Sequence, residues 1–214
     1  MLLQKKSDLP PKPEFIVIAG PNGAGKSTTS PNILEPFGIK AFDWDKQFQL
    51  KWENFNYDPA VTDGIRESVN TEFQSYIEES FASYKPVAYE TNFHSDYNFE
   101  LASRARNLGY NCSLYFLALN NPELGIKRVA DRVQKGGHHV SEPTIRERFR
   151  VGLKMLDNKA SQFYDRIFIY DSAQTFRLLL VIEKDEIVYK AENLVPKIIN
   201  RLPNIKSQLS GFSQ

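Results

Sequence analysis

The chain has 214 residues, with 27 Lys and Arg against 26 Asp and Glu, a formal net charge of +1. That length suits one α/β domain with a substantial core, and the near-neutral balance gives no electrostatic footprint for a nucleic-acid partner or a membrane surface. A single cysteine, Cys112, excludes an internal disulfide, and no apolar stretch is long enough for a signal peptide or a bilayer span, so a cytoplasmic protein is expected.

Residues 1–13 are polar, hold Pro10, Pro11 and Pro13, and read as an extended N-terminal tail ahead of a single domain over 14–214. A β-branched apolar run predicts the first strand over 15–19. Gly20-Pro21-Asn22-Gly23-Ala24-Gly25-Lys26-Ser27-Thr28 follows at once and carries the G-x-x-x-x-G-K-[ST] pattern of a phosphate-binding loop. Each position has a physical task. The glycines let the backbone approach a phosphate without a Cβ in the way, and the helix that follows adds its positive N-terminal end. Lys26 supplies a point charge to the β and γ phosphates, and the Ser27 hydroxyl can ligate Mg²⁺. The helix is expected from about Gly25 to Asn32, ended early by Pro31 and Pro36.

A short second strand is predicted over 39–42. Ile65, Val69, Phe73, Ile77 and Phe81 recur every four residues, which predicts an amphipathic helix over 61–83. A third strand is expected over 87–89, a helix over 95–108 and a fourth strand over 111–119. Pro122 opens a helix running through Val133, the stretch 134–139 breaks it, and Ser141-Glu142-Pro143-Thr144 opens the next helix, to about Ala160. A fifth strand is placed over 166–170, a hairpin over 176–182 and 186–189 turning at Lys184-Asp185, and a last helix over 193–202. Strands alternating with helices imply a three-layer α/β fold: a mainly parallel five-stranded sheet, helices on both faces, and a C-terminal hairpin plus short helix. Cys112 lies in the fourth strand and is expected to be a small core residue.

Ligands of parallel sheets bind beyond the carboxyl ends of the strands. The first such end is the phosphate loop, the second is Asp43-Trp44-Asp45, and the third is Glu90-Thr91-Asn92. Phosphoryl transfer needs a carboxylate to take the acceptor's proton and another to hold the metal. Along an extended strand Asp43 and Asp45 would point the same way and Trp44 the other. Arg128 and Arg132 share one helix face, while Arg146, Arg148 and Arg150 follow the Gly136-Gly137 break. Taken singly, each arginine fits a solvated helix surface paired with Asp131, Glu142 or Glu147. Taken together they read as a lid over 128–148 that closes on a nucleotide. His138 and His139 are adjacent, point apart and lack a third ligand nearby, so a structural or substrate-contacting loop is expected rather than a metal site. Trp44, Phe48, Trp52, Phe55 and Tyr57 fit two readings equally, an acceptor pocket or the apolar side of a helix.

These residues resemble the zeta-toxin family of P-loop kinases, and more closely its branch labelled predicted ABC-type ATPases. The resemblance covers about residues 15–179. It rests on the loop, the Asp45 region, Tyr89-Glu90-Thr91, the block from Arg128 through Arg132, Gly136-Gly137-His138 and Glu142, followed by Ile145-Arg146-Glu147-Arg148-Phe149, and Tyr170-Asp171-Ser172. It implies a kinase fold in which the third strand neighbours the first, with Glu90 beside Ser27 and the metal. It implies ATP and Mg²⁺ as cofactors and a small-molecule acceptor, which for the family's toxins is the 3′-hydroxyl of UDP-N-acetylglucosamine. It further implies Asp45 as base, Glu90 as a carboxylate positioning substrate or metal, and an antitoxin protein as partner. Arg128 and Arg132 both fit the first lid arginine. The second has no clear counterpart, with Arg146 further along as a further nucleotide contact. The helix carboxylate of the toxin site could be Glu67 or Glu72. No LSGGQ-type signature supports the ABC label, since Leu209-Ser210-Gly211 comes too late in the chain, and no N-K-x-D motif supports a GTP switch. The expectation is a kinase with an alcohol group as acceptor; the competing reading is a non-catalytic or regulatory ATP-binding module acting through a protein partner.

Overall fold

Glu14–Ala19 forms β1, and Phe15, Ile16, Val17, Ile18 and Ala19 are all fully buried. Successive strand residues point to opposite faces, so burial of the whole run means that both faces of the sheet are covered at this strand. The computed structural model describes residues 11–137, 139–174 and 176–211. After β1 come α1 (Lys26–Leu34), β2 (Phe42–Asp43), α2 (Trp44–Asn54), α3 (Thr62–Ala82), β3 (Val87–Thr91), α4 (Tyr97–Asn107) and β4 (Asn111–Ala118). Then follow α5 (Pro122–Gln134), α6 (Glu142–Phe163), β5 (Arg166–Asp171), β6 (Arg177–Glu183), β7 (Glu186–Lys190), α7 (Pro196–Ile199) and α8 (Pro203–Leu209).

The strands form one seven-stranded sheet in the order β2-β3-β1-β4-β5-β6-β7. The first five are parallel, as helical crossovers require, and β3 does neighbour β1. The hairpin β6–β7 joins the same sheet antiparallel to β5, so it extends the sheet instead of standing beside it. Lys184 and Asp185 take φ of 49° and 69°, the two left-handed residues of a tight hairpin turn.

α1, β2 and the last helix depart from expectation, each for a physical reason. α1 does not stop at Pro31 but carries it inside and runs to Leu34, whose burial in the core outweighs the missing N–H. β2 is only two residues long and starts at Phe42. Beside β3, the Tyr76 phenol of α3 takes the place of a longer β2: it donates to Ala88 O at 3.1 Å and accepts from Ala88 N at 2.9 Å. The single final helix is two short ones, because Pro203 cannot continue a helix from behind. The Asp157 carboxylate of α6 instead accepts from the N–H groups of Asn204 at 3.1 Å and Ile205 at 3.0 Å at the start of α8.

Cys112 is buried in β4, and desolvation pushes its thiol up to about 12, consistent with an inert core residue. α2 packs Phe48 against Ile65 and Val69 of α3, with Trp44 stacked on Phe48 at 5.4 Å. The α2 aromatics therefore divide: Phe48 is core, Trp44 also reaches the cleft described below, and Phe55 and Tyr57 are exposed. No helix among the described residues is long and apolar enough to cross a membrane.

Candidate active site

The loop after β1 turns at Gly20 (φ +148°) and Gly23 (φ +78°), and Gly25 (φ +82°) caps α1 in a left-handed conformation. A side chain at Gly20 would place its Cβ 2.5 Å from Leu117 O, so both backbone angle and space require glycine there. Lys26 opens α1 and folds back over the loop: its Nζ donates to Gly20 O at 2.8 Å, Pro21 O at 3.3 Å and Asn92 Oδ1 at 3.0 Å. Gly20 and Pro21 thus lie beneath the loop as acceptors for Lys26, while Asn22, Gly23, Ala24, Gly25, Lys26, Ser27 and Thr28 face a cleft. Desolvation holds the Lys26 ammonium below its ordinary value, against the pull of Asp45, Glu90 and Asp43.

Asn92 reaches Lys26 because the chain turns sharply after β3. Phe93 is fully buried with φ +55°, and its N–H donates to Thr91 Oγ1 at 3.1 Å. A buried aromatic in a left-handed conformation is strained and persists only because its surroundings fix it, which makes this a rigid corner.

The Ser27 hydroxyl lies 2.7 Å from both Asp43 Oδ2 and Glu90 Oε2, and Ser30 Oγ donates to Glu90 Oε1 at 2.6 Å. Ser27 has one hydrogen and cannot serve two ionised carboxylates, so the cluster is complete only with a further positive charge. Glu90 reflects this: burial first, then the neighbouring Asp43, raises its carboxyl above the usual range, against the two serine hydroxyls. Among the described residues no group of three or more His, Cys, Asp and Glu could hold a metal unaided. Two carboxylates and a hydroxyl are instead the partial oxygen set suited to magnesium, which keeps waters and takes ligands from phosphate.

Asp43 and Asp45 do not share a strand face as expected. The strand ends at Asp43, whose Oδ1 caps α2 by accepting from Lys46 N at 3.0 Å; Asp45 is already in the first helical turn. The cap aims Asp43 at Ser27, whereas Asp45 lines the cleft and makes no hydrogen bond or ion pair among the described residues.

The arginines separate by role. Arg128 donates to Gly23 O at 3.0 Å, Ser172 O at 2.9 Å and Ala173 O at 2.6 Å, tying the loop to the segment after β5. Arg132, one turn on, lines the cleft beside Gly137. Arg146 is not brought to the cleft: it pairs with Glu123 at 2.7 Å on the outer side. Arg148 lines the cleft instead and donates to Asn22 Oδ1 at 3.2 Å. The buried stripe of α6 carried the signal, since Arg148 lies three residues after buried Ile145 and four before buried Gly152. The α5–α6 turn also touches the opposite wall, where Gln49 Nε2 donates to Gly136 O at 3.1 Å. His138 lies outside the described residues, and His139 is exposed. Glu72 pairs with Lys51 at 2.6 Å, and neither it nor Glu67 lines the cleft.

Sequence reading also missed Gly125. It faces the loop from α5, and an added Cβ would sit 2.7 Å from Asn22 O. Gly125→Ala is expected to lower stability by about 1–3 kcal/mol and to weaken nucleotide binding by displacing the loop; chemical denaturation and calorimetric titration with ATP would measure both.

The cleft runs from the loop between α2, α3 and the turn after β3, with a volume of ≈ 1180 Å³. Pockets for one small ligand span roughly 300–1,000 Å³, so this cleft lies just above the upper end of that range.

No protein-family model and no curated protein matches the sequence. Solved structures do match in fold. One is from the PezAT chromosomal toxin-antitoxin system of Streptococcus pneumoniae, with 18% identity and a TM-score of 0.61, over 98% of this chain and 88% of that one. Another is the AvrRxo1-ORF1:ORF2 complex, with 11% identity and a TM-score of 0.65, over 94% of this chain and 76% of that one. The same complex solved with ATP matches with 11% identity and a TM-score of 0.60, over 93% of this chain and 75% of that one. At these identities the likeness is one of fold. The chain shares the fold of these structures.

Proposed function

We propose that this chain is an ATP-dependent phosphotransferase that moves the γ-phosphoryl group onto a hydroxyl of a small metabolite. The observation that carries this reading is the division of labour between two carboxylates two residues apart. Asp43 is engaged by Ser27 and by the start of α2, while Asp45 lines the cleft and makes no hydrogen bond or ion pair among the described residues. A binding module has no use for the second.

In this reading the loop amides, Lys26 and the lid arginines hold the donor phosphates, with Arg132 and Arg148 on the cleft wall and Arg128 bracing the loop. Ser27, Glu90 and Asp43 are the residues that would hold Mg²⁺, which when bound neutralises charge on the phosphate oxygens. Lys26 leaves the loop carbonyls for the nucleotide, which supplies the acceptors it now finds in Gly20 and Asn92. Asp45 accepts the hydroxyl proton as the acceptor oxygen attacks in line. The resemblance puts UDP-N-acetylglucosamine forward as acceptor and an antitoxin as partner. Two of the matched structures, one from a toxin-antitoxin system and one an ORF1:ORF2 complex, support a protein partner.

The test is ADP release by the purified protein with ATP, Mg²⁺ and a panel of hydroxyl acceptors. Acceptor-dependent release is expected. ATP binding without release on any acceptor would leave the chain a nucleotide-binding module that acts through a partner.

A further inference from the structure

Phe176 is a large apolar side chain left 47% exposed at the cleft, which it lines together with Ser172 and Arg128. It ends a column of aromatic rings on one face of the sheet. Phe168 and Tyr170 are two residues apart in β5 and so share a face, and Tyr115 of β4 sits beside Phe168 in register. Tyr115 stacks on Phe168 with ring centres 4.5 Å apart and lies 6.4 Å from Tyr170. Phe176 continues the column on Tyr170 at 4.3 Å, with 6° between the planes. Tyr170 thus backs one face of the Phe176 ring and sets its tilt. The segment that carries Phe176 is also tied to the phosphate loop. One guanidinium, that of Arg128, donates to Gly23 O in the loop and to Ser172 O and Ala173 O after β5. Ser172 Oγ donates to Ala118 O at 3.0 Å, and Asp171 Oδ1 accepts from Ala173 N at 2.9 Å. The separation of ring and loop is therefore set before a ligand arrives.

Sheet order gives the donor a direction. Asp43 ends β2, Glu90 lies in β3, and Asp45 opens α2, all on the β2–β3 side of the loop that follows β1. In-line transfer puts the leaving ADP on the side of the γ-phosphorus opposite the attacking hydroxyl. With the proton acceptor beyond β2, the rest of the nucleotide points toward β4 and β5, where Ser172 and Phe176 line the cleft. β5 stands two strand intervals from β1, about 10 Å, a gap that ribose and phosphates bridge. Resting on the kinase reading, we infer that Phe176 is the platform on which the nucleobase of the donor stacks. Every base has a π face, so an aromatic ring holds it without hydrogen bonds. A ring already backed by Tyr170 loses little side-chain freedom when the base arrives.

The experiment titrates the wild type, Phe176→Ala and Phe176→Trp by calorimetry with two probes in Mg²⁺ buffer, ATP and inorganic tripolyphosphate. Tripolyphosphate carries the phosphates and no base, so it reports the loop alone. Phe176→Ala is expected to weaken ATP binding about tenfold, the loss typical of one base–aromatic stack, and to leave tripolyphosphate binding unchanged. Phe176→Trp, which keeps a π face, should bind ATP as tightly as the wild type or more so. Equal ATP affinity in the wild type and Phe176→Ala would overturn the inference and keep the kinase reading. Parallel loss of both probes in Phe176→Ala would overturn it too, making the ring a packing element that supports the loop. A wild type that binds neither probe would overturn the inference and the kinase reading together.

Discussion

Replacing Asp45 by asparagine is expected to lower turnover by about 10²–10⁴-fold and to leave ATP affinity within about twofold, the signature of losing a general base. Asparagine keeps the size and the position in the first turn of α2, so α2 and its cap at Asp43 stay intact. What is lost is the ability to take a proton. In the proposed function the nucleotide is held by the loop, which Asp45 does not touch by any hydrogen bond among the described residues. Asp45 does act on Lys26 through its charge, being the largest of the carboxylate influences on that ammonium. Its loss therefore removes some support for the protonated lysine, which sets the twofold tolerance on affinity. Single-turnover phosphate transfer and calorimetric titration with ATP separate the two quantities. Turnover retained in full would remove Asp45 from the mechanism. The parallel replacement Asp43→Asn should weaken the Mg²⁺ dependence instead, because Asp43 faces Ser27.

The contrast between these two aspartates shows where local reading stops. The phosphate loop was legible because its information is contiguous: glycines, lysine and serine at fixed spacing after an apolar strand. Glu90 was legible because a strand end in a parallel sheet opens onto the same rim as the loop. The relation of Asp43 to Asp45 was not, because it depended on where a strand became a helix. Two residues of β2 suffice only because the Tyr76 phenol, from another element, bonds the neighbouring backbone of β3. That substitution is invisible to periodicity. Arg146 and Arg148 differ in the same way, since the choice between them follows from the helical face that Ile145 and Gly152 bury. The α3 side of the cleft was the least legible part. Asn70 and Gln74 are ordinary polar residues on a helix surface until tertiary packing sets them opposite Trp44 and Tyr97. Of the two helix carboxylates the resemblance offered, Glu72 pairs with Lys51 on the surface, and neither Glu67 nor Glu72 lines the cleft.

Glu90→Gln is expected to act in opposite directions on stability and on catalysis. In the nucleotide-free protein the ionised Glu90 faces Asp43 across a single hydroxyl, and burial adds to that cost. A carboxyl whose folded pKa is raised favours the folded state most below that pKa, and the advantage is lost as pH rises through it. The wild-type protein should therefore lose stability from this group as pH rises from the ordinary glutamate range through its raised folded pKa. Glutamine carries no charge and can donate its amide to Ser27 Oγ, so the variant should melt higher at pH 7 and lack that part of the pH slope. Mg²⁺ should stabilise the wild type more than the variant, because a divalent cation supplies the positive charge that the Ser27, Asp43 and Glu90 cluster lacks. Lowering the pH should weaken Mg²⁺ binding to the wild type by protonating Glu90, at a pH above that at which an ordinary glutamate protonates. Turnover and metal affinity in the variant should fall about 10–100-fold, the usual loss when a group that orients a metal site is neutralised. Thermal melts across pH with and without Mg²⁺, together with the Mg²⁺ dependence of phosphate transfer, measure each of these. A variant that melted lower at pH 7 and kept its metal dependence would make Glu90 a structural partner of Ser30 and nothing more. Opposite signs in the two assays would mark a cluster held at a cost in stability because the metal requires it.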